Sequence, residues 1–160
     1  MPVNQSRRSV VKYLSLSAVV IPALSAIPAY AKSTHDPIYT TKSSNDALQG
    51  YDTVAYFTAG KAVKGEEQFS TMHEGAIWLF SSDENLQTFM ASPERYMPQF
   101  GGYCAFSVAQ GKIVKGDAKL WEIVDNKLYV NYNKGIHKLW LKRPEQLIAE
   151  AQENWPTILG

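Results

Sequence analysis

The clearest structural pattern in the sequence is at residues 69–80, FSTMHEGAIWLF. Residues suited to β-strands stand on both sides of Glu74-Gly75, and a two-residue turn ending in glycine between such runs is typical of a β-hairpin. The register that follows from strand periodicity pairs His73 with Ala76, Thr71 with Trp78, and Phe69 with Phe80. We therefore expect a hairpin with a buried aromatic face and with His73 at its tip.

A helix is predicted directly after this hairpin. Ser81 is placed to cap its first turn with Glu84 three residues on, and Ser92-Pro93 ends it. Its apolar stripe consists of Leu86, Phe89 and Met90. Before the hairpin, aromatic and β-compatible residues at 51–57 predict a further short strand, followed by turn-like residues at 58–61 and 64–65.

The C-terminal part of the chain predicts a second hairpin and two more helices. Residues 121–124 and 127–132 flank Asp125-Asn126, a dipeptide suited to a tight turn. Asn133 is placed to cap a helix, and its inward residues are predicted to be Ile136, Leu139 and Trp140. Pro144 begins the last helix and Pro156 ends it, with inward residues predicted at Leu147, Ile148, Ala151 and Trp155.

These elements predict one α+β domain, a small antiparallel sheet built from hairpins and covered by short helices, without an internal repeat. A length of 160 residues with 45% hydrophobic residues suits a single globular core. The formal net charge of +1 provides no broad basic surface for nucleic acid. A single cysteine, Cys104, excludes an internal disulfide and any zinc cluster of several cysteines.

The N-terminus predicts export. Residues 1–31 contain Arg7, Arg8 and Lys12 but no acidic residue, then an apolar run to residue 28 and Ala29-Tyr30-Ala31, which together are typical of a signal peptide. A helix that spans a membrane needs about 20 apolar residues, and this run is shorter. A cleaved signal peptide is therefore favoured, with a permanent membrane anchor as the alternative. Residues 6–12 resemble the twin-arginine export motif, although paired arginines also occur in ordinary secretory signals. We expect a periplasmic or otherwise exported protein with residues 32–47 as a polar leader and residues 48–156 as the domain.

The hairpin and the helix after it also resemble a known family, the YHS domain. The resemblance is carried by the order of His73-Glu74-Gly75, Trp78-Leu79-Phe80, Ser81-Ser82, Phe89 and Ser92-Pro93-Glu94-Arg95-Tyr96. It extends from about Gly50 to Gly101. The longer arrangement, through Gly102-Tyr103-Cys104 and Asn154-Trp155-Pro156, resembles the exported, single-domain YHS proteins of bacteria.

This resemblance implies metal binding, but the ligand pattern of the family is altered. Many YHS domains are thought to bind metal through cysteines, whereas Ser81 and Asn85 stand at the positions of the two helix-start cysteines. No Cys-Gly-Met sequence stands near Tyr51-Asp52-Thr53. Serine and asparagine are neutral oxygen donors and do not replace thiolates at a soft metal site.

Two kinds of site remain as hypotheses. The first is a soft-metal site, for copper rather than zinc, with Cys104 and His73 as ligands and help from Met97 or His137, because thiolates and thioethers favour Cu(I). The second is a metal-free surface for a small molecule or a protein partner, formed by Tyr51, Asp52 and Tyr103. Each residue also has a structural explanation: Cys104 as a buried small residue, the methionines 72, 90 and 97 as core, Asp52 as a cap, and His137 as an exposed residue.

The expected function is therefore an exported, non-catalytic binding module for a soft metal, with metal-free binding as the alternative. No motif for a hydrolase triad, a metalloprotease, a P-loop or a dinucleotide site is present in the chain. A thiol-dependent enzyme is the third hypothesis and depends on Cys104 alone.

The export hypothesis predicts the behaviour of the double variant Arg7→Lys, Arg8→Lys. We expect uncleaved precursor to accumulate in the cytoplasm, because a twin-arginine receptor distinguishes guanidinium from ammonium at equal charge. Cell fractionation followed by immunoblotting measures this. A normal periplasmic yield of the double variant would instead indicate export through the general secretory route.

Overall fold

A computed structural model describes residues 35–160, and the predicted signal peptide lies outside them. The chain from residue 35 onward is part of one compact unit of α+β class, as predicted, but its strands form two separate two-stranded sheets. The strands are β1 (Glu66–His73), β2 (Ala76–Phe80), β3 (Asp117–Val124) and β4 (Lys127–Asn131). The helices are α1 (Ala55–Thr58), α2 (Asp83–Ala91), α3 (Pro93–Tyr96), α4 (Ala105–Ala109), α5 (Lys134–Trp140) and α6 (Pro144–Ile158).

The described residues contain an internal repeat, so the prediction of none is wrong. A 3-10 turn, a short helix, a hairpin and two helices occur in residues 46–96 and again, in the same order, from residue 98, where residues 98–147 include the first turn of α6. Both hairpins shift register at the same point, between Glu66 and Ser70 in the first and between Asp117 and Trp121 in the second. We call these segments the first and the second repeat.

The backbone before each short helix is also repeated in detail. Leu48, Gln49 and Gly50 have φ values of 48°, 55° and 73°, and residues 100–102 have values of 55°, 60° and 83°. The left-handed region suits glycine because glycine has no Cβ. At Gly101 glycine is needed for a second reason, since a Cβ there would overlap the carbonyl oxygen of Pro37.

Both predicted hairpins are confirmed, with one error of register. His73 pairs with Ala76 and Thr71 with Trp78, as predicted. Phe80 pairs with Glu66 instead of Phe69, because the bulge adds residues to β1 only. Both turns have left-handed residues, at Glu74-Gly75 and at Asp125-Asn126, as a two-residue hairpin turn requires.

The helices confirm most predicted boundaries and correct three. Asn133 caps α5 by accepting a hydrogen bond from the Ile136 amide, and Pro144 begins α6. Ser82 caps α2 instead of Ser81. The predicted strand at residues 51–57 is a turn followed by α1, and Pro156 lies inside α6 instead of ending it.

Three apolar clusters form the core. One lies in the first repeat around Trp78, Phe80 and Phe89, and one in the second around Tyr129, Trp140 and Leu147. The third joins the repeats, with Leu48 and Tyr56 from the first and Ala118, Leu128 and Val130 from the second. Other predicted core residues are exposed instead: Met72 by 69%, Met90 by 55% and Leu139 by 43%.

Part of the segment predicted as a polar leader belongs to the fold. Ile38 and Ala47 are buried, and the Tyr39 amide donates to the carbonyl oxygen of Gly101 over 2.9 Å. Ala47 and Asn45 exchange backbone hydrogen bonds with Ile77 at the edge of β2. The domain therefore begins about ten residues before Leu48. Within the described residues no helix is long and apolar enough to cross a membrane.

Candidate functional site

A buried carboxyl group lies at the centre of the first repeat. Asp52 has no exposed surface and follows directly on the left-handed turn. Its Oδ1 accepts hydrogen bonds from the Val54 amide at 2.9 Å and from the Ala55 amide at 3.2 Å. It thereby caps α1, which confirms the structural explanation given by the sequence.

The second oxygen of Asp52 accepts hydrogen bonds from Ser81 and Asn85, the two residues that the family resemblance aligns with cysteines. Oδ2 accepts hydrogen bonds from the Ser81 amide at 2.8 Å, the Ser81 hydroxyl at 2.6 Å and the Asn85 side-chain amide at 2.7 Å. Ser81 follows the end of β2 and Asn85 lies in the first turns of α2, so the hairpin and the helix are both attached to the segment before α1. We call Asp52, Ser81 and Asn85 the carboxyl cluster.

The carboxyl cluster does not fit the cysteine-bound metal that the family resemblance implies. Five donors already point at one carboxyl group, which has about four lone-pair sites. A cation would have to displace donors that the backbone fixes in place. The available donors are also hard oxygen atoms where a soft metal needs sulfur.

Cys104 occupies the position of Asp52 in the second repeat. It follows Gly102-Tyr103 as Asp52 follows Gly50-Tyr51, and the amides of both residues donate over 2.8 Å to a valine carbonyl, Val63 or Val114. Cys104 has no exposed surface, and its Sγ lies 3.9 Å from Oδ1 of the buried Asn131. The thiol therefore fills the space of the carboxyl group as a small buried side chain.

The other predicted ligands do not lie together: His73 and Met97 pack against the apolar cluster of the first repeat, and His137 lies on α5 of the second. The His73 ring lies edge-on to Phe89, with ring centroids 5.8 Å apart, and its buried Nε2 has no hydrogen-bond partner among the described residues. Met97 packs against the apolar cluster that contains Phe89. The His137 side chain is only 14% exposed, so the prediction of an exposed residue is wrong, and its Nε2 lies 3.0 Å from Oε1 of Glu122. In the described part of the chain, no three histidine, cysteine or acidic side chains are grouped to hold a metal ion.

The predicted binding surface is largely structural. Tyr51 lies beneath Lys64, whose Nζ is 4.4 Å from the ring centroid. Tyr103 is only 7% exposed and donates its hydroxyl hydrogen to the carbonyl oxygen of Asp36 over 2.9 Å. Burial raises the pKa of Tyr103, with the charge of Asp36 adding to the effect, so the hydroxyl stays a donor at neutral pH.

An open groove of about 400 Å³ lies where the N-terminal segment passes the second repeat. We call it the tyrosine groove; its lining residues are Tyr39, Thr41, Gln49, Lys115, Gly116, Asp117, Tyr132 and Asn133. The sequence does not reveal this groove, because the polar composition of residues 32–47 predicts a leader outside the domain and Tyr39 lies in that range. The signal that could have found the second repeat is GKAVKG at residues 60–65 and GKIVKG at residues 111–116.

Several polar groups of the tyrosine groove are available to a ligand. No described residue pairs with the Lys115 ammonium group or with the hydroxyl groups of Tyr39 and Tyr132. Oδ1 of Asp117 accepts from the Lys119 amide at 2.9 Å, which leaves Oδ2 open. The side chain of Gln49, in contrast, already has partners for both its nitrogen and its oxygen. It donates a hydrogen bond to the Gly116 carbonyl oxygen and accepts one from the Ala118 amide.

Comparison with known families finds a match to the YHS domain in one part of this chain. Residues 54–100 match the profile of that family, so the match covers most of the first repeat. No curated protein and no solved structure matches the chain. The second repeat has the same order of elements although the family match stops at its beginning.

The carboxyl cluster predicts that Asp52→Ala is strongly destabilising. We expect a loss of about 3–5 kcal/mol, because the substitution leaves several buried donors without an acceptor. Urea denaturation followed by tryptophan fluorescence measures it. The matched control is Asp117→Ala, which removes one exposed hydrogen bond and should cost less than about 1 kcal/mol. Equal losses of stability in the two variants would contradict the conclusion that the buried Asp52 carboxyl group holds the first repeat together.

Proposed function

We propose that this chain, which carries a YHS domain at residues 54–100, is an exported, non-catalytic binding module that works without a resident metal. The single observation that carries the proposal is the carboxyl cluster, where Ser81 and Asn85, which the resemblance aligns with cysteines, both donate hydrogen bonds to Asp52. The YHS family is associated with metal handling, so this chain keeps the fold and replaces the metal site with a structural one. Export rests on Arg7 and Arg8 in the N-terminal sequence.

The tyrosine groove is the ligand site that this proposal favours. It offers one cation at Lys115 and one open carboxylate oxygen at Asp117, with tyrosine rings from two different segments. Opposite charges in one small groove complement a zwitterion, whose anionic group would bind Lys115 and whose ammonium group would bind Asp117. We therefore propose a small zwitterionic molecule of the amino acid type as the ligand.

The sequence favours copper as the metal, and measuring the metal content of the purified protein tests this hypothesis. We expect the matured protein, purified without chelator or histidine tag, to contain no more copper or zinc than the Cys104→Ser variant. The reason is that Cys104 is fully buried in the second repeat whereas His73 and Met97 pack in the first. Elemental analysis measures this. About one equivalent of copper in the wild type that is absent from Cys104→Ser would establish the soft-metal hypothesis instead.

The groove predicts a specific pattern in a titration with single free amino acids. We expect NMR shift changes of the matured protein to centre on Tyr39, Lys115 and Tyr132. Lys115→Ala should weaken the binding about tenfold or more, because a charge-assisted hydrogen bond is lost. The matched control is Lys112→Ala, an exposed lysine outside the groove, which should change little. Shift changes that avoid the groove, or equal effects of both variants, would refute this site.

A further inference from the structure

The two repeats share a fold but carry opposite charge. The first repeat, residues 46–96, has eight acidic and three basic residues, whereas the second, residues 98–147, has four acidic and eight basic residues. Half of these eight basic residues lie in residues 134–143, a segment without any acidic residue. The positive charge is therefore concentrated on α5 and the turn that follows it.

An apolar groove borders these lysines. It lies between β3 and α5, has a volume of about 260 Å³, and is lined by Leu120, Glu122, Lys134, His137, Lys138 and Leu141. A hydrogen bond between His137 and Glu122 joins α5 to β3 within the groove. Glu122, the acidic residue among the lining residues, is thereby paired. Leu141 is 53% exposed although it is a large apolar residue. We call Leu120, Lys134, Lys138 and Leu141 the basic face.

The first repeat shows that the fold does not require this composition. At the positions equivalent to Lys134, Lys138 and Leu141, α2 has Asp83, Gln87 and Met90. Met90 is 55% exposed and Leu141 is 53% exposed, so both positions hold an apolar residue in contact with solvent. The neighbouring residues differ in charge, because the lysines of α5 are replaced by Asp83 and Gln87 in α2. The fold therefore does not need lysine at these two positions, so folding alone does not explain why the basic face has them.

We propose that the basic face rests on an anionic phospholipid surface, with the lysine ammonium groups at the headgroups and Leu141 entering the interface. Lysines beside exposed leucines are typical of helices that lie in a membrane interface. Protein interfaces, in contrast, are depleted in lysine, which makes an acidic protein partner the less favoured occupant. The rest of the molecule is acidic, so attraction at this one face would also orient the protein on the surface.

Vesicle co-sedimentation of the matured protein tests the proposal. We expect binding to vesicles of phosphatidylglycerol and phosphatidylcholine at low salt, loss of binding at high salt, and none to phosphatidylcholine alone. Lys138→Gln should weaken the binding about fivefold, the change expected for one basic residue at an anionic surface. Leu141→Ser should also weaken it about fivefold, because a half-exposed leucine no longer enters the interface.

Two matched variants separate this proposal from its alternatives. Met90→Ser removes the equivalent exposed residue of the first repeat, and Lys61→Gln removes the same charge at a site remote in sequence; neither should alter binding. Melting temperatures establish that all four variants are folded. No binding to the anionic vesicles, or equal losses in Lys61→Gln and Lys138→Gln, would overturn the proposal. Binding of a synthetic glutamate-rich peptide with one tryptophan, without vesicle binding, would overturn it in favour of an acidic protein partner.

Discussion

The hydrogen bonds of the Asp52 carboxyl group are the interaction on which the first repeat depends. Three segments meet there: the turn before α1, the end of β2 and the start of α2. None of them has a long helix or a wide sheet of its own, so local hydrogen bonds give each of them little independent stability. A buried acceptor shared by all three makes their packing cooperative, and it orients α2 so that Phe89 covers Trp78 and Phe80.

The second repeat reaches the same arrangement by a different route. Cys104 occupies the position that Asp52 has in the first repeat, and packing of apolar side chains takes the place of the shared acceptor. The rings of Tyr129 and Trp140 pack together there, with centroids 5.4 Å apart. The long helix α6 packs on α4 and extends that core beyond the repeat itself. A carboxyl group shared by three segments in one repeat, and Cys104 beside the buried Asn131 in the other, are two solutions for one backbone. Neither requires a metal to explain the fold.

The sequence predicted the features that short segments determine and missed those that depend on distant ones. The two hairpin turns and the Asn133 cap follow from a few adjacent residues, and the structure confirms them. The Ser81 error arose because the partner of its side chain, Asp52, lies 29 residues away. The bulge in β1, the burial of Ile38 and the exposure of Met72 likewise depend on neighbours that are distant along the chain.

The repeat explains why the candidate sites were the least predictable part. A repeated fold has two sets of equivalent positions, and the residues at equivalent positions can differ in chemistry while the backbone stays the same. Asp52 and Cys104 occupy one such pair, and Met90 and Leu141 another, with different polarity or charge around each. Cys104 and His73 are therefore related in the sequence only by their chemical type, because the fold separates them by repeat. The tyrosine groove also combines residues from both repeats and the N-terminal segment, which no single sequence motif could indicate.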